Sequence, residues 1–277
     1  MLWPSKQTLV LTQTPPPPDA TEFRFFIGQD AVDNAGVLAL DWTIDSGHVK
    51  NWEDMEQIWS HTFFEQLRVN PDEHCVMVTE APLNSNANRE KSIELLHETF
   101  DVAGSSLQVQ GALAMWASGH TSGMVVDIGD GVTHCMPVVD GMIIKSAIKK
   151  LGLAGRTLTE QMAIAMSAHT DENLWESQAG MLIAQGIKDA TAYVALDYDA
   201  EMERPEAEVE EQYTMPGGDI LTVGRERFRV GEVLFNPRKI ISKDWDGVSD
   251  MINKSIDSLE NDLHRTMWVR TAGWGEG

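Results

Sequence analysis

The chain has 277 residues, 42% of them hydrophobic and 23% charged, which is a globular composition with room for one large or two modest domains. No apolar run reaches the length that spans a bilayer, and the start lacks the charged and apolar pattern of a secretory signal. Forty-three acidic against 21 basic residues give a net charge of −22, a surface that disfavours nucleic acid and anionic membrane and suits basic partners or divalent cations. Cys75 and Cys135 stand far apart and form neither a disulfide framework nor a metal-ligand pattern, so a reducing compartment is expected.

In chain order, Pro15 to Pro18 mark a leader over residues 1–21 that favours polyproline II and is expected to be disordered. Asn51 is a good N-cap, and Trp52, Met55, Ile58, Trp59, Phe63 and Leu67 then repeat at helical spacing as a core face. Cys75–Thr79 reads as a short buried strand. Asn88–Phe100 reads as a helix with Ile93, Leu96 and Phe100 inward, and Gln110–Ser118 as another, stopped by Gly119. The run Gly123-Met124-Val125-Val126-Asp127-Ile128-Gly129-Asp130-Gly131-Val132-Thr133-His134 reads as strand, tight turn, strand, with a second Asp-Gly turn at Asp140-Gly141. Helices are expected over Leu158–Met166 and Glu172–Asp189, then a strand over Ala190–Leu196. An acidic solvated loop from Asp197 to Glu211 follows. A hairpin turns at Pro216–Asp219, and a helix runs over Val248–Leu263. Strands and helices alternate, which argues an α/β fold.

The turn after Val126 carries the chemistry. Taken alone, Asp-Gly between apolar runs is the commonest hairpin signal and means a surface turn. Two Asp and two Gly in five residues also let backbone N–H groups converge on phosphate oxygens, with Asp127 at the strand end able to hold a hydrated divalent cation and His134 on the next strand within reach.

With Ala117-Ser118-Gly119-His120-Thr121-Ser122 ahead of it, this turn resembles the second phosphate-binding hairpin of actin. Phe26–Ala31, Asn51–Trp59, Glu80–Asn84, Ala87–Lys91, Leu153–Arg156, Tyr193–Asp197 and Glu226–Arg229 resemble other segments of actin. The chain is identified as a member of the actin family over residues 24–252. The resemblance implies an α/β actin-like ATPase fold, ribonuclease H-like, with two lobes: residues 22–117 the remainder of the first, residues 118–277 the second. It also implies a chain truncated at both ends, because no Asp- and Gly-rich first phosphate hairpin appears and the C-terminal part is altered. Trp268–Gly277 then stands either for the family's Gly-Gly segment near the adenosine or for its last helix; the residues leave both open.

For the site, the resemblance implies that Asp127, Gly129, Asp130, Gly131 and Val132 hold phosphate, and that Gln110 and His134 position and deprotonate the attacking water. Gly155, Arg156, Lys188 and Asp189 would lie around ribose and base, and Asp127 and Gln110 would hold a cation through water. Read without the resemblance, Gln110 is a helix-start residue, His134 a satisfied strand histidine, and Lys188 with Asp189 a solvated helix face. Ile128 replaces a small hydroxyl residue and Gln185 an Arg. Asp45-Ser46-Gly47-His48 has the letters of a phosphate turn but aligns with a different family loop, with Ser46 in place of its His. The implied ligand is ATP or ADP with Mg or Ca, weakly bound, with at most a weak actin-type ATPase activity. Implied partners are actin-family subunits and actin-binding proteins in the cytoplasm and cytoskeleton, without nucleic acid or membrane insertion. The alternatives are a nucleotide-independent actin-related scaffold and an incomplete gene product.

Overall fold

The computed structural model describes residues 10–11, 26–34, 40–170 and 173–275. Pro15 to Pro18 lie outside them. Within the leader, β1 (Val10–Leu11) pairs antiparallel with β2 (Asp41–Trp42), after a short α1 (Gln29–Asp33). The turn Ser46-Gly47, with both residues at positive φ, joins β3 (Ile44–Asp45) to β4 (His48–Val49) as a tight hairpin.

Asn51 caps α2 (Trp52–Ser60) as expected, accepting from the N–H groups of Glu53 and Asp54. The helix then loosens into a π-helical stretch, His61–Leu67. The extra residue per turn rotates the face, so Met55, Ile58 and Phe63 are buried but Leu67 is turned out to solvent. The same happens in α3 (Asn86–Glu94), which runs into a second π stretch, Leu95–Thr99. There Leu95, Leu96 and Phe100 face inward, and Ile93 sits off the buried line. Phe63 meets Phe100 edge-on at 5.2 Å in this cluster.

β5 (Cys75–Glu80) pairs in parallel with β6 (Gly104–Val109), a strand the periodicity did not disclose. Only one face of the pair, with Val76 and Val78, packs on the helical cluster. Cys75 and Met77 on the other face are exposed, so β5 is not the buried strand expected from its composition. From β6 the chain enters α4 (Gln110–Ala117) directly, and Gly119 at φ +78 ends it.

The central sheet follows. β7 (Gly123–Ile128) and β8 (Thr133–Val139) form the expected hairpin, with Asp127 opposite His134 and Ile128 opposite Thr133. β9 (Met142–Ile143) and β10 (Lys149–Leu151) both add to β8 antiparallel. One face of the sheet, with Val125, Met136 and Val138, packs on Met115 of α4; the other, with Met124, Val126 and Cys135, packs on later helices.

α5 (Gly155–Met166) and α6 (Gln178–Thr191) lie against each other over Met162, Met166, Ala184 and Ile187. α6 starts six residues later than the sequence suggests. Ser177 caps it, and Gly180 lies so close to the Leu174 carbonyl that Leu174–Glu176 folds as a separate turn over its start. The helix also runs through Thr191, whose hydroxyl donates to the Ile187 carbonyl. Ala190–Leu196 is therefore no strand. Its one ladder-like bond runs from the Tyr193 N–H to the Arg227 carbonyl, and β propensity without a partner strand makes no sheet. The acidic stretch is helical in two short pieces, α7 (Tyr198–Glu203) and α8 (Glu206–Val209), with Arg204 bridging Glu201 and Glu208.

β11 (Glu211–Thr214) and β12 (Ile220–Val223) make the expected hairpin. α9 (Glu226–Glu232) and α10 (Pro237–Ile241) precede α11 (Val248–Ile256), and the chain breaks at residues 257–260 before α12 (Asn261–Val269). The single helix expected over Val248–Leu263 is thus two, because Ser258 turns its hydroxyl back to the Lys254 carbonyl while Leu259 closes a tight turn on Ile256. Ile252, Ile256 and Leu259 still reach the same cluster. Last comes β13 (Thr271–Gly275), parallel to β7, so the sheet order is β10-β8-β7-β13 with β9 at the far end of β8.

Candidate functional site

The candidate site is the turn Gly129–Val132 between β7 and β8. It is closed by a bond from the Gly129 N–H to the Val132 carbonyl, 3.1 Å. The start of α5 shapes it. The Gly155 N–H donates to the Gly129 carbonyl at 2.9 Å and the Arg156 N–H to the Asp130 carbonyl at 2.7 Å. In a trans peptide the N–H of the next residue points opposite to the carbonyl. Fixing these two carbonyls toward α5 therefore turns the N–H groups of Asp130 and Gly131 away from it. Neither these two nor the Val132 N–H donates to another protein group among the described residues. The turn presents backbone donors of the kind that bind anions.

Beside the turn, three ionisable residues form a row across three strands. Asp127 on β7 is opposite His134 on β8, which is opposite Lys150 on β10, so all three start from the same sheet face. This is also the face on which α4 packs. Gly111 lies directly over Met136 and Val125, the next residues along that face, which sets Gln110, exposed at the first position of α4, over the same end of the sheet. Asp127 and His134 thus share one face, and Gln110 starts the helix that packs on it. His134 is 2% exposed and its Nε2 has no hydrogen-bond partner among the described residues. Burial, reinforced by the positive charge of Lys150 and by His48, lowers its pKa to about 4, so the imidazole is neutral at pH 7.

On the other side of the turn, Lys188 of α6 is buried and not on a solvated helix face. Its ammonium lies 3.4 Å from the Asp189 carboxylate and 3.7 Å from the position a Cβ would take on Gly155. The same Cβ would stand 3.3 Å from the Gly129 carbonyl, so glycine at 155 keeps α5, the turn and this ammonium in close order. Arg156 engages protein through all three guanidinium nitrogens while its side chain stays partly exposed. Its Nε and Nη2 reach the Asp130 carboxylate at 3.1 and 2.8 Å, and its Nη1 reaches Asp45 at 3.4 Å.

The β3–β4 hairpin, weighed on its letters and set aside, is in fact a neighbour of the turn. A Cβ on Gly131 would come within 3.3 Å of the Ser46 N, and one on Gly47 within 3.9 Å of Val132. Lys50 lies 3.2 Å from Asp45, and its hydrogen bond is the largest of the effects that hold the Asp45 carboxyl below the usual range. Lys150, which no sequence pattern singled out, donates to the Ser46 carbonyl and approaches His48, both at 3.4 Å. Its place follows from strand register between β8 and β10, which local composition does not encode.

These residues fit an anionic phosphate. Backbone N–H groups with no acceptor among the described residues, approached past glycines, are the donors such a group needs. A family model described as Actin matches residues 5–270, starting inside the leader and running through α12. The chain belongs to the actin family and has its α/β actin-like fold.

Proposed function

We propose that this actin-family protein holds the phosphates of ATP or ADP at the Gly129–Val132 turn, with the base side of the nucleotide toward Gly155, Lys188 and Asp189. The observation that carries the reading is the pair of N–H groups of Asp130 and Gly131, turned away from α5 and spent on no protein acceptor among the described residues, with the Val132 N–H beside them. Asp127 and Gln110 would hold a Mg or Ca ion through its water shell, as hard cations are held beside phosphates. The cation and the backbone dipoles would neutralise charge developing on the phosphate. His134 and Gln110 would orient water. An imidazole with a pKa of about 4 is a poor base at pH 7, so hydrolysis is slow and the nucleotide serves the conformation of the subunit.

Affinity is weak, because a single turn among the described residues provides the phosphate donors. Two or three charge-assisted bonds fewer than a two-sided clamp, at about 1.5–3 kcal/mol each, take a micromolar site to about millimolar. The chain would work as a subunit of a filament or actin-related complex in the cytoplasm, with actin-family subunits and actin-binding proteins as partners. Calorimetric titration of ATP·Mg into the whole chain tests the nucleotide reading. A weak isotherm lost in Asp127→Ala supports it; no heat at millimolar nucleotide refutes it, and a low-micromolar constant would mean a second phosphate turn is at work.

A further inference from the structure

Arg156 is bonded to the turn and to a neighbouring hairpin. Its backbone N–H holds the Asp130 carbonyl, two of its guanidinium nitrogens hold the Asp130 carboxylate, and the third reaches Asp45. Asp130 is thereby gripped at both ends by one residue. Asp45 is the fixed point of the arrangement, since Lys50 holds it from within its own hairpin. The β3–β4 hairpin in turn abuts the site through Ser46 against Gly131, and Lys150 ties Ser46 back to the central sheet.

We infer that Arg156 is a positioning residue: it fixes the phosphate turn by clasping Asp130 and braces that turn against the β3–β4 hairpin through Asp45, without itself touching nucleotide. The physical reason lies in the peptide planes. The N–H groups that the turn presents are aimed only while the Gly129 and Asp130 carbonyls stay on α5. Asp130 is exposed and would otherwise sample many rotamers, carrying its peptide with it. A fork that spans two carboxylates removes that freedom; a lysine, with one point of charge, cannot span both. The inference rests on the turn being a phosphate site, and its test separates the two.

Inorganic tripolyphosphate carries the phosphates without ribose or base. Arg156→Ala should weaken ATP·Mg and tripolyphosphate·Mg by the same factor, about tenfold, equivalent to one charge-assisted bond's worth of aim. Asp45→Asn, which alters the brace and not the clasp on Asp130, should weaken both by a smaller factor and add nothing in the Arg156→Ala background. Arg156→Lys should restore little. A loss for ATP alone, with tripolyphosphate unchanged, would overturn the inference and make Arg156 a ribose ligand. Additive effects of Asp45→Asn and Arg156→Ala would overturn the brace. If the native chain binds neither ligand, the phosphate reading fails. The brace is then read by amide hydrogen exchange, which Arg156→Ala should speed in both residues 44–49 and 129–132; unchanged exchange in either segment overturns it.

Discussion

His134 and Lys150 stand opposite each other on β8 and β10, the imidazole buried and its Nε2 unpartnered, the ammonium turned to Ser46 and His48. A second positive charge is not tolerated there, and this sets the pH response. The pKa of His134 is about 4 in the fold and 6.5 in the open chain. Between these values the unfolded state binds more protons, so stability falls as pH drops from 6.5 toward 4 and this contribution levels off below. The loss over that window is about 3 kcal/mol. Urea unfolding midpoints at pH 7 and pH 4.5 check it: His134→Gln should flatten the difference relative to the native chain, and an equal fall in both would remove His134 as the cause.

The two cysteines should differ sharply in reactivity. Cys135 is buried, and burial pushes its pKa up to about 12; Cys75 is exposed at the start of β5. Alkylation of the native protein at pH 8 should modify Cys75 alone, and Cys135 should react only after denaturation. Prompt labelling of both would mean that the sheet between α4 and α11 opens readily.

Gly123→Ala should destabilise the chain by about 1–3 kcal/mol, the usual cost of forcing an atom into a filled site. A Cβ there would lie 2.4 Å from the Arg270 carbonyl, which accepts the Met124 N–H at 2.8 Å where β13 joins β7. Gly152→Ala is the control, since among the described residues no atom beyond its chain neighbours lies within 4 Å of its added Cβ. Thermal midpoints of the two variants decide it; equal midpoints would mean that β13 yields without cost.

Lys188→Met should lower ATP·Mg affinity by about tenfold while leaving the thermal midpoint unchanged or raised. A buried ammonium 3.4 Å from the Asp189 carboxylate contributes little to folding, and an apolar isostere replaces it at no loss. A chain that loses stability but keeps its affinity would show that the Lys188–Asp189 pair is structural.

Much of the fold was legible because it is written in local terms. The Asn51 cap, the Gly119 stop, the β11–β12 turn and the β7–β8 hairpin each depend on residues adjacent in sequence. The misreadings fall where a distant partner decides. Leu67 and Ile93 follow a helical period that π turns shift, Ala190–Leu196 has strand residues without a strand to join, and Val248–Leu263 keeps one apolar face across a break. β5 was read as buried because apolar Cys75 and Met77 stand on its exposed face, and β6 was missed because its residues do not alternate as a half-buried strand should.

By itself the sequence determined the family, the strand–turn–strand that carries the candidate site, and the residue types available there, since glycine permits a tight turn and aspartate ends the strand before it. Tertiary structure alone decided which of those residues face one another. It set Asp127, His134 and Lys150 in one row through register, buried Lys188 beside Gly155, and spent Arg156 on Asp130 and Asp45 instead of leaving it open. It also placed Thr271–Gly275 beside β7, a parallel pairing between segments about 150 residues apart. Backbone hydrogen bonds of this kind carry no side-chain code, so no local pattern announces them.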